Sequence, residues 1–254
     1  MPFPVMIPMG PWRVHPHLLF ESLGYFGGAR LYFFLKRRQP DGIPGETRWG
    51  ILAGAALGAA LGAHLLHGLN ELPRAMSGQW PYSQVLIGKT IVGGLLGGWC
   101  GVEAAKRLLG ERRSSGDLFV LPLLFAISLG RVGCFLTGLS DFTCGLPTRL
   151  PWAVDFGDGI PRHPAQLYEI AALAAFAALA PWMLRRLKRP GDFFRVFLAF
   201  YLLLRLLLDA LKPDLPLALG LSGIQWGCLA GLAVLVPDIC RILLPSPESA
   251  PKAP

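Results

Sequence analysis

The chain has 254 residues, 53% of them hydrophobic and 16% charged, with a formal net charge of +8 at pH 7 and a mean hydropathy of +0.47. Soluble domains carry about 25% charged residues, so this composition excludes an ordinary soluble domain and indicates a membrane protein. No basic patch is interleaved with aromatic residues, which excludes a nucleic-acid-binding protein; the positive charge concerns membrane orientation instead.

Apolar runs long enough to cross a bilayer, which takes roughly 17–25 residues, recur seven times along the chain. They occupy about residues 18–35, 49–67, 85–104, 117–139, 165–184, 193–211 and 220–244. This pattern predicts an all-α, polytopic membrane protein with seven transmembrane helices, organised as one transmembrane domain over residues 1–254. The first residues lack the basic region of a cleavable signal peptide, so we expect none.

The second and third spans are rich in glycine. The residues are Gly50, Gly54, Gly58 and Gly62 in the second span and Gly93, Gly94, Gly97, Gly98 and Gly101 in the third. Small residues at a spacing of four let helix backbones approach closely in lipid. Because no strand precedes these glycines, the pattern predicts helix packing and not a phosphate-binding loop.

The distribution of Lys and Arg over the loops predicts the orientation. Three loops are rich in these residues: about 36–48, 105–116 and 185–192. The alternate loops are poor in them: about 68–84, 140–164 and 212–219. By the positive-inside rule, the N-terminus lies outside with an external arm at residues 1–17, and the C-terminus lies inside with a cytoplasmic tail at residues 245–254. The loop at 140–164 then faces outward.

A polar motif, "DGIPRHPAQLYE" at residues 158–169, leads from this external loop into the fifth span. Pro164 suits the first turn of a helix, where its missing N–H costs nothing. Gln166 and Glu169, three residues apart, are expected to share a helix face that points into the bundle. The motif therefore predicts a polar site at the outer rim of the membrane.

Two arginines are predicted to lie at similar depth in the outer half of the bilayer. At 1.5 Å per residue, Arg131 lies roughly 21 Å and Arg205 roughly 18 Å from the inner face. A charge in lipid costs about 2.5–3.5 kcal/mol, so such residues need a reason to be there. Two guanidiniums can grip one phosphate, which predicts a phospholipid head-group site. The alternative is a structural ion pair between Arg205 and Asp209.

Other residues that could bind a metal or form a disulfide give weaker evidence of a site. His64, His67 and Glu71 have a spacing that permits a metal site, but three ligands from one helix end are weak evidence, and we expect no metal and no cofactor. Cys134 and Cys144 are close enough in sequence to form a disulfide, although free thiols are the alternative. The other three cysteines fall in apolar runs.

Four stretches resemble the bacterial prolipoprotein diacylglyceryl transferases. "RHPAQLYE" (162–169) resembles the family's "RHPSQLYE", and "GRVGCF" with Gly138 following (130–138) resembles its signature "GRxGNFxNGE". "PTRLPWAVDF" (147–156) resembles the segment after the signature, and "RLLLDALK" (205–212) resembles a family stretch of the form R-x3-E-x2-R. The resemblance covers residues 130–212, and the seven spans and their orientation fit it.

The resemblance implies a multi-pass enzyme of the bacterial inner membrane that moves a diacylglyceryl group from phosphatidylglycerol, or a related phospholipid, to the lipobox cysteine of a prolipoprotein signal peptide. It implies that Arg131 and Arg205 neutralise the phosphate of the leaving glycerol phosphate, and that Tyr168 and Glu169 orient an arginine. Further substrate-binding positions follow from the matched motifs: Gly133, Gly138, Arg162, Gln166, Tyr168, Glu169 and Asp209.

The departures from the family pattern concern the catalytic base. The family's third-helix "SFHGG" carries a histidine linked to activity, whereas this chain has "TIVGG" with Val92 in its place. A general base contributes about 10²–10⁴-fold, so its loss predicts slow or absent transfer. His163 is the candidate replacement, and its alternative role is to cap the fifth helix.

Within the signature, the first asparagine is Cys134, the second is Thr137 and the glutamate is Leu139. Asp141, which an insertion places after Gly138, is a candidate to replace that carboxylate. These changes keep a second hypothesis open, a non-catalytic or repurposed phospholipid-binding protein with the same fold. A transporter is the third hypothesis, and no inverted repeat favours it.

Overall fold

The computed structural model describes residues 3–39, 41–79, 87–187 and 189–244, and within these ranges the chain is mostly helical. The helices are α1 (Pro16–Arg38), α2 (Gly45–Met76), α3 (Ile91–Leu108), α4 (Asp117–Thr137), α5 (Ala165–Arg186), α6 (Asp192–Asp209) and α7 (Gly223–Leu243). Two short antiparallel hairpins complete the structure, β1 (Ile7–Met9) with β2 (Trp12–Val14) and β3 (Val154–Asp155) with β4 (Pro161–Arg162). The predicted tail at 245–254 lies outside the described residues.

Each of the seven predicted spans overlaps one of these helices, although residues 85–86 of the third span lie outside the described residues. The prediction of a helical protein is confirmed at this level. Among the described residues, four segments are long and apolar enough to cross a membrane: Gly45–Met76, Asp117–Asp141, Ala165–Arg186 and Gly223–Leu243. Basic residues in the last turns of α1 and α5 favour the carbonyl ends of these helices. The number of seven spans and the orientation of the termini stay predictions.

The described residues divide into two compact units. Of the described residues, the first unit takes those within 3–42, 118–181 and 206–215, and the second those within 43–117, 182–205 and 216–244. The first unit contains α1, most of α4 and α5, the end of α6 and the loop at 140–164, which is called the external loop after its predicted orientation. The second contains α2, α3, α7 and most of α6.

In the second unit, α2 and α3 pack through their glycines. A Cβ added at Gly58 would lie 2.2 Å from the carbonyl oxygen of Gly97, and one added at Gly97 would lie 2.2 Å from that of Gly58. Gly62 and Gly93 face each other in the same way. No side chain fits between backbones at this distance, so the prediction of helix packing is confirmed for these four glycines. It does not hold for Gly94 and Gly98, where an added Cβ would meet nothing nearer than 3.8 Å and 3.5 Å.

A different face of α2 exposes a stripe of leucines. Leu57, Leu61 and Leu65 are 67%, 65% and 68% exposed. Residues four apart lie one above the other on a helix, so these side chains form one continuous apolar strip. Such a strip is stable in contact with lipid and unfavourable in water. It supports the membrane character that composition predicts.

At the other end of the second unit, polar contacts fix the start of α6. The carboxylate of Asp117 accepts the backbone N–H groups of Gly191 at 2.6 Å and Phe194 at 2.9 Å. These are donors that a helix N-terminus leaves without an intrahelical partner. Arg241 of α7 then pairs with Asp192 of α6 at 2.6 Å. Together these contacts join three helices by charge and hydrogen bonding.

In the first unit, α1 packs closely against α4. A Cβ added at Gly24 would meet the carbonyl oxygen of Ala126 at 3.0 Å, and one added at Gly133 would meet Cβ of Phe20 at 2.9 Å. The absence of a side chain at Gly133 lets the end of α4 lie against the first turn of α1. That contact brings the beginning of α1 beside the residues that follow Gly133.

Backbone pairing organises the external loop. His163 and its neighbours run antiparallel to an earlier part of the loop: the N–H of Gly145 donates to the carbonyl of His163 at 3.0 Å, and the N–H of His163 donates to that of Leu146 at 3.1 Å. Leu146 also donates to the carbonyl of Leu211 at 2.7 Å. The polar motif is therefore held by main-chain hydrogen bonds before α5 begins.

Candidate functional site

A buried ion pair joins two helices of the first unit. Nε of Arg131, on α4, lies 2.9 Å from Oε2 of Glu169, on α5. The two residues are only 6% and 2% exposed. Glu169 therefore pairs with an arginine, whereas its role in orienting that arginine stays a prediction. A carboxylate at this distance compensates the charge of the buried guanidinium.

Tyr168 has a different role from the one expected, because it does not contact that arginine. Its hydroxyl accepts a hydrogen bond from Nε1 of Trp152 at 2.8 Å and lies 3.2 Å from Nδ1 of His163. Consecutive residues of a helix project about 100° apart. If Glu169 faces Arg131, Tyr168 must therefore face the external loop, so the expectation that both orient an arginine is wrong for Tyr168.

His163 lies between the loop and α5. Its ring contacts Tyr168, and its main chain takes part in the antiparallel pairing with Gly145 and Leu146. These contacts support the alternative, structural role that the sequence leaves open. The role of His163 as a base stays a prediction.

Gln166 anchors the loop to the first turn of α5. It is 1% exposed, and its Nε2 donates to Oγ1 of Thr143 at 2.9 Å and approaches Sγ of Cys144 at 3.6 Å. Burial raises the pKa of the Cys144 thiol above its usual range. Gln166 and Glu169 are both buried, as their shared face predicts. Cys134 and Cys144 are both free thiols, so they do not form a disulfide.

Arg162 pairs with an acidic residue of its own hairpin. Its Nη1 donates to Oδ1 of Asp158 at 2.6 Å. This hydrogen bond lowers the pKa of Asp158 and raises that of Arg162, because each charge stabilises the other. The pair braces the turn between β3 and β4. A contact of Arg162 with lipid stays a prediction.

The two glycines among the predicted binding residues serve close packing. Gly133 allows α4 to approach α1, as described above. Gly138 has φ of +74°, in the left-handed region, and a Cβ there would lie 2.8 Å from Cβ of Phe3. Both positions therefore exclude larger residues for steric reasons.

The predicted residues of α6 fall in different units. Arg205 is 4% exposed and belongs to the second unit. Asp209 belongs to the first unit, where Nζ of Lys212 lies 3.1 Å from its Oδ1. Arg205 and Asp209 are both buried, and a buried charge needs an opposite charge or a hydrogen bond to offset the loss of water. The convergence of Arg131 and Arg205 on one phosphate stays a prediction.

A cluster that the sequence did not reveal lies where α1 meets the end of α4. Nδ1 of His17 is 2.8 Å from Oδ1 of Asp141 and 3.8 Å from Sγ of Cys134. These three donor atoms all lie within 4.8 Å of one another. We call these three residues the His17 cluster. Sequence analysis singled out Cys134 and Asp141 as departures from a pattern, but nothing local marked His17.

The residues considered for a metal at the end of α2 are engaged elsewhere. Nδ1 of His64 contacts the carbonyl of Gly88 at 2.7 Å, and Glu71 pairs with Arg74 at 2.6 Å. Over the described ranges, the His17 cluster is the one group of three His, Cys, Asp or Glu side chains whose donor atoms come together.

Comparison with known proteins shows which family the chain resembles over most of its length. The model of the prolipoprotein diacylglyceryl transferase family matches residues 4–241. A phosphatidylglycerol–prolipoprotein diacylglyceryl transferase of Polynucleobacter asymbioticus is 34% identical over 246 residues, which cover 89% of this chain and 90% of the relative. The protein of the same name from Nitratidesulfovibrio vulgaris is 32% identical, covering 84% and 83%. That from Bordetella bronchiseptica is 30% identical, covering 88% of each.

Proposed function

The chain belongs to the prolipoprotein diacylglyceryl transferase family, and from that premise we propose that it transfers the diacylglyceryl group of phosphatidylglycerol to the cysteine thiol of a prolipoprotein. The observation that carries the proposal is the family match over nearly the whole chain. It is a transferase of lipoprotein biosynthesis, and its apolar helices place it in a membrane as a multi-pass protein.

The reaction exchanges one bond for another. The acceptor sulfur forms a bond to the glyceryl carbon, the bond from that carbon to the phosphate oxygen breaks, and its electron pair leaves on glycerol phosphate. The thiol proton goes to a base or to solvent. Two demands follow: the leaving phosphate needs positive charge, and the acceptor needs thiolate character.

The buried Arg131 meets the first demand in this proposal. The carboxylate of Glu169 lies 2.9 Å from its Nε and compensates its charge inside the protein. Arg205, equally buried, is the proposed second positive group. Preorganised charges in a site that excludes water stabilise a developing anion without reorganising during the reaction. The remaining predicted binding residues shape the surroundings of the lipid.

The second demand is less obviously met, because Val92 stands where the family's third helix has a histidine. Val92 is 1% exposed and has no group that accepts a proton. The proposal therefore includes slow transfer unless another group activates the thiol. The second candidate function is binding of phospholipid without transfer.

A reconstituted assay tests the function. Purified chain, phosphatidylglycerol vesicles and a synthetic lipobox peptide are incubated, and mass spectrometry follows both diacylglyceryl addition to the peptide and release of glycerol phosphate. We expect diacylglyceryl peptide and glycerol phosphate in equal amounts from the wild type. The control Arg113→Ala, which changes a side chain that is 50% exposed, should give the same result. Lipid that copurifies and stays intact, with no product, would establish the non-catalytic function instead.

The location in the bacterial inner membrane and the outward orientation of the external loop belong to the same proposal. A cysteine at position 158 and one at position 113, each on a cysteine-free background, test the orientation. An impermeant thiol reagent should label position 158 in intact cells and position 113 only after permeabilisation. The reverse pattern would contradict the orientation and place the acceptor site on the wrong side for a secreted prolipoprotein.

A further inference from the structure

We propose that the His17 cluster binds a divalent cation of the zinc class and that an open position on this cation takes the acceptor thiol. The second half rests on the proposed function, whereas the first half does not. The donors are an imidazole nitrogen, a thiol sulfur and a carboxylate oxygen. This combination suits a borderline-soft cation and excludes Mg²⁺ or Ca²⁺, which prefer oxygen alone.

The distances come close to those of a tetrahedral centre. Bond lengths of about 2.0 Å to nitrogen and oxygen and about 2.3 Å to sulfur place the ligand atoms about 3.3 Å (N to O) and 3.6 Å (N to S) apart. The corresponding separations are 2.8 Å between His17 and Asp141 and 3.8 Å between His17 and Cys134. Shifts of about half an ångström, within the reach of side-chain rotation, complete the geometry.

The arrangement differs from that of a proton relay. In a relay, the nucleophile and the orienting carboxylate contact opposite nitrogens of the imidazole. Here both Sγ of Cys134 and Oδ1 of Asp141 face the same nitrogen, Nδ1 of His17. Three donor atoms that lie within 4.8 Å of one another can contact a single cation.

Supporting contacts hold two of the three ligands, His17 and Asp141, in place. Nε2 of His17 lies 3.5 Å from Oε2 of Glu21, and the hydroxyl of Tyr25 donates to the other oxygen of Glu21 at 2.9 Å. Oγ1 of Thr143 donates to Oδ2 of Asp141 at 2.7 Å, which leaves Oδ1 toward His17. Metal-binding histidines commonly direct their second nitrogen to a carboxylate, and ligating carboxylates are themselves hydrogen-bonded.

The charge beside the His17 cluster and the exposure of its residues also fit a cation site. Nη1 of Arg131 lies 3.8 Å from Sγ of Cys134, so a positive side chain stands beside the sulfur ligand. Cys134 is 6% exposed and the Asp141 side chain 9%, whereas the His17 side chain is 34% exposed. The cluster therefore has a buried side and one accessible side. Three protein ligands leave the fourth position of a tetrahedral centre for an outside group.

The chemical consequence is activation of the acceptor. A thiol that coordinates the cation loses its proton to solvent, and the bound thiolate then attacks the glyceryl carbon while glycerol phosphate leaves. Arg131, which the proposed function assigns to the phosphate, stands next to the cluster. The cation would thus replace the base that Val92 removes. Two of its ligands, Cys134 and Asp141, are residues by which this chain departs from the family signature.

Cobalt binding tests the site without any lipid or peptide. The purified full chain in detergent is stripped with a chelator and titrated with Co²⁺, whose bond to a thiolate gives a charge-transfer band in the near ultraviolet. We expect this band in wild type and its loss in Cys134→Ser. Cys144→Ser and His64→Ala are the matched controls and should keep it. His17→Ala and Asp141→Asn should weaken Zn²⁺ binding at least about tenfold.

No band in wild type, or a band that persists in Cys134→Ser, overturns the site. If Cys134→Ser aggregates, alkylation of the wild-type chain with and without Zn²⁺ decides, with peptide mass spectrometry reading each cysteine. Protection by Zn²⁺ of Cys134 but not of Cys144 supports the site, and equal reactivity of Cys134 in both samples overturns it.

The transfer assay separates this inference from the proposed function. Chelator should suppress transfer, and Zn²⁺ should restore it. Transfer that is insensitive to chelator overturns the metal's role while the function stands. A cobalt band in a chain that makes no product, with or without metal, overturns the function and the thiol-activating half of the inference, while the cation site stands.

Discussion

The glycine contact between α2 and α3 and the polar site around Arg131 are built on opposite principles. In the glycine contact, backbones touch, as between Gly58 and Gly97, and shape alone decides the fit. In the polar site, long charged side chains such as Arg131 and Glu169 reach across from different helices, and each depends on a partner. The contrast teaches that the first region tolerates no added volume, whereas the second tolerates no lost charge.

Removing one partner of the buried pair should have the largest effect. We expect Arg131→Ala to lower the transfer rate at least about 100-fold, because a preorganised charge at the leaving group is lost. Breaking a buried pair also costs about 3–5 kcal/mol through the charge left behind. Arg131→Lys should recover only part of the rate, since lysine lacks the planar fork.

Three measurements check this prediction: the transfer rate by mass spectrometry, the amount of copurified phospholipid, and the melting temperature in detergent. The double variant Arg131→Ala/Glu169→Gln is the control, because it removes both charges: it should regain stability without regaining transfer. Normal copurified phospholipid and normal transfer in Arg131→Ala would contradict an anion site and leave a purely structural ion pair.

Added volume in the glycine contact should have the next largest effect. A Cβ at Gly97 would lie 2.2 Å from the carbonyl of Gly58, whereas one at Gly94, on the same helix, would meet nothing nearer than 3.8 Å. We expect Gly97→Ala to destabilise the chain by about 1–3 kcal/mol, the usual cost of overpacking. Gly94→Ala should be neutral or slightly stabilising. Equal melting temperatures for the two variants would refute the close backbone approach.

Loss of one hydrogen-bonding group at the edge of the site should have a moderate effect. Tyr168→Phe removes the hydroxyl that meets Trp152 and His163 but keeps the ring. We expect a loss of about 0.5–1.5 kcal/mol, the net worth of an ordinary hydrogen bond. Trp152→Phe should cost no more than Tyr168→Phe, and the double variant should cost less than the sum. Additive losses would show that the indole and the phenol act independently.

The smallest effect concerns the exposed pair of the external hairpin, and it depends on pH. Arg162 lowers the pKa of Asp158 below its ordinary value of 3.8. A carboxyl whose folded pKa is depressed stabilises the fold above its unfolded pKa, and this contribution disappears as pH falls through the folded value. Asp158→Asn should therefore lower the melting temperature slightly at pH 7, and this difference should shrink progressively as the pH falls below 3.8.

Surface pairs contribute little because solvent screens them. The control is the same substitution in an Arg162→Gln background, where the difference between the variants should not change with pH. In the Arg162 background, a difference that does not shrink as the pH falls would indicate that Asp158 acts through its main-chain contact with Ile160 and not through charge.

Much of the architecture followed from local patterns in the sequence. Seven apolar runs predicted the positions of seven helices, and the spacing of Gly54, Gly58 and Gly62 predicted a close helix contact. Burial of Gln166 and Glu169 followed from their separation of three residues. These features are legible because composition and helical period act within a few turns of one segment.

The tertiary structure alone decided which distant side chains meet. His17 lies 117 residues before Cys134 in the sequence, and no pattern in its own segment marks it as a site residue. The two side chains meet because Gly133 leaves room for the first turn of α1. The side chain of Tyr168 likewise contacts Trp152 and not an arginine, because it projects from α5 about 100° away from that of Glu169. Periodicity states which face of a helix is buried, but the partner on the other side depends on how two helices pack, and that is set by close contacts between segments far apart in the chain.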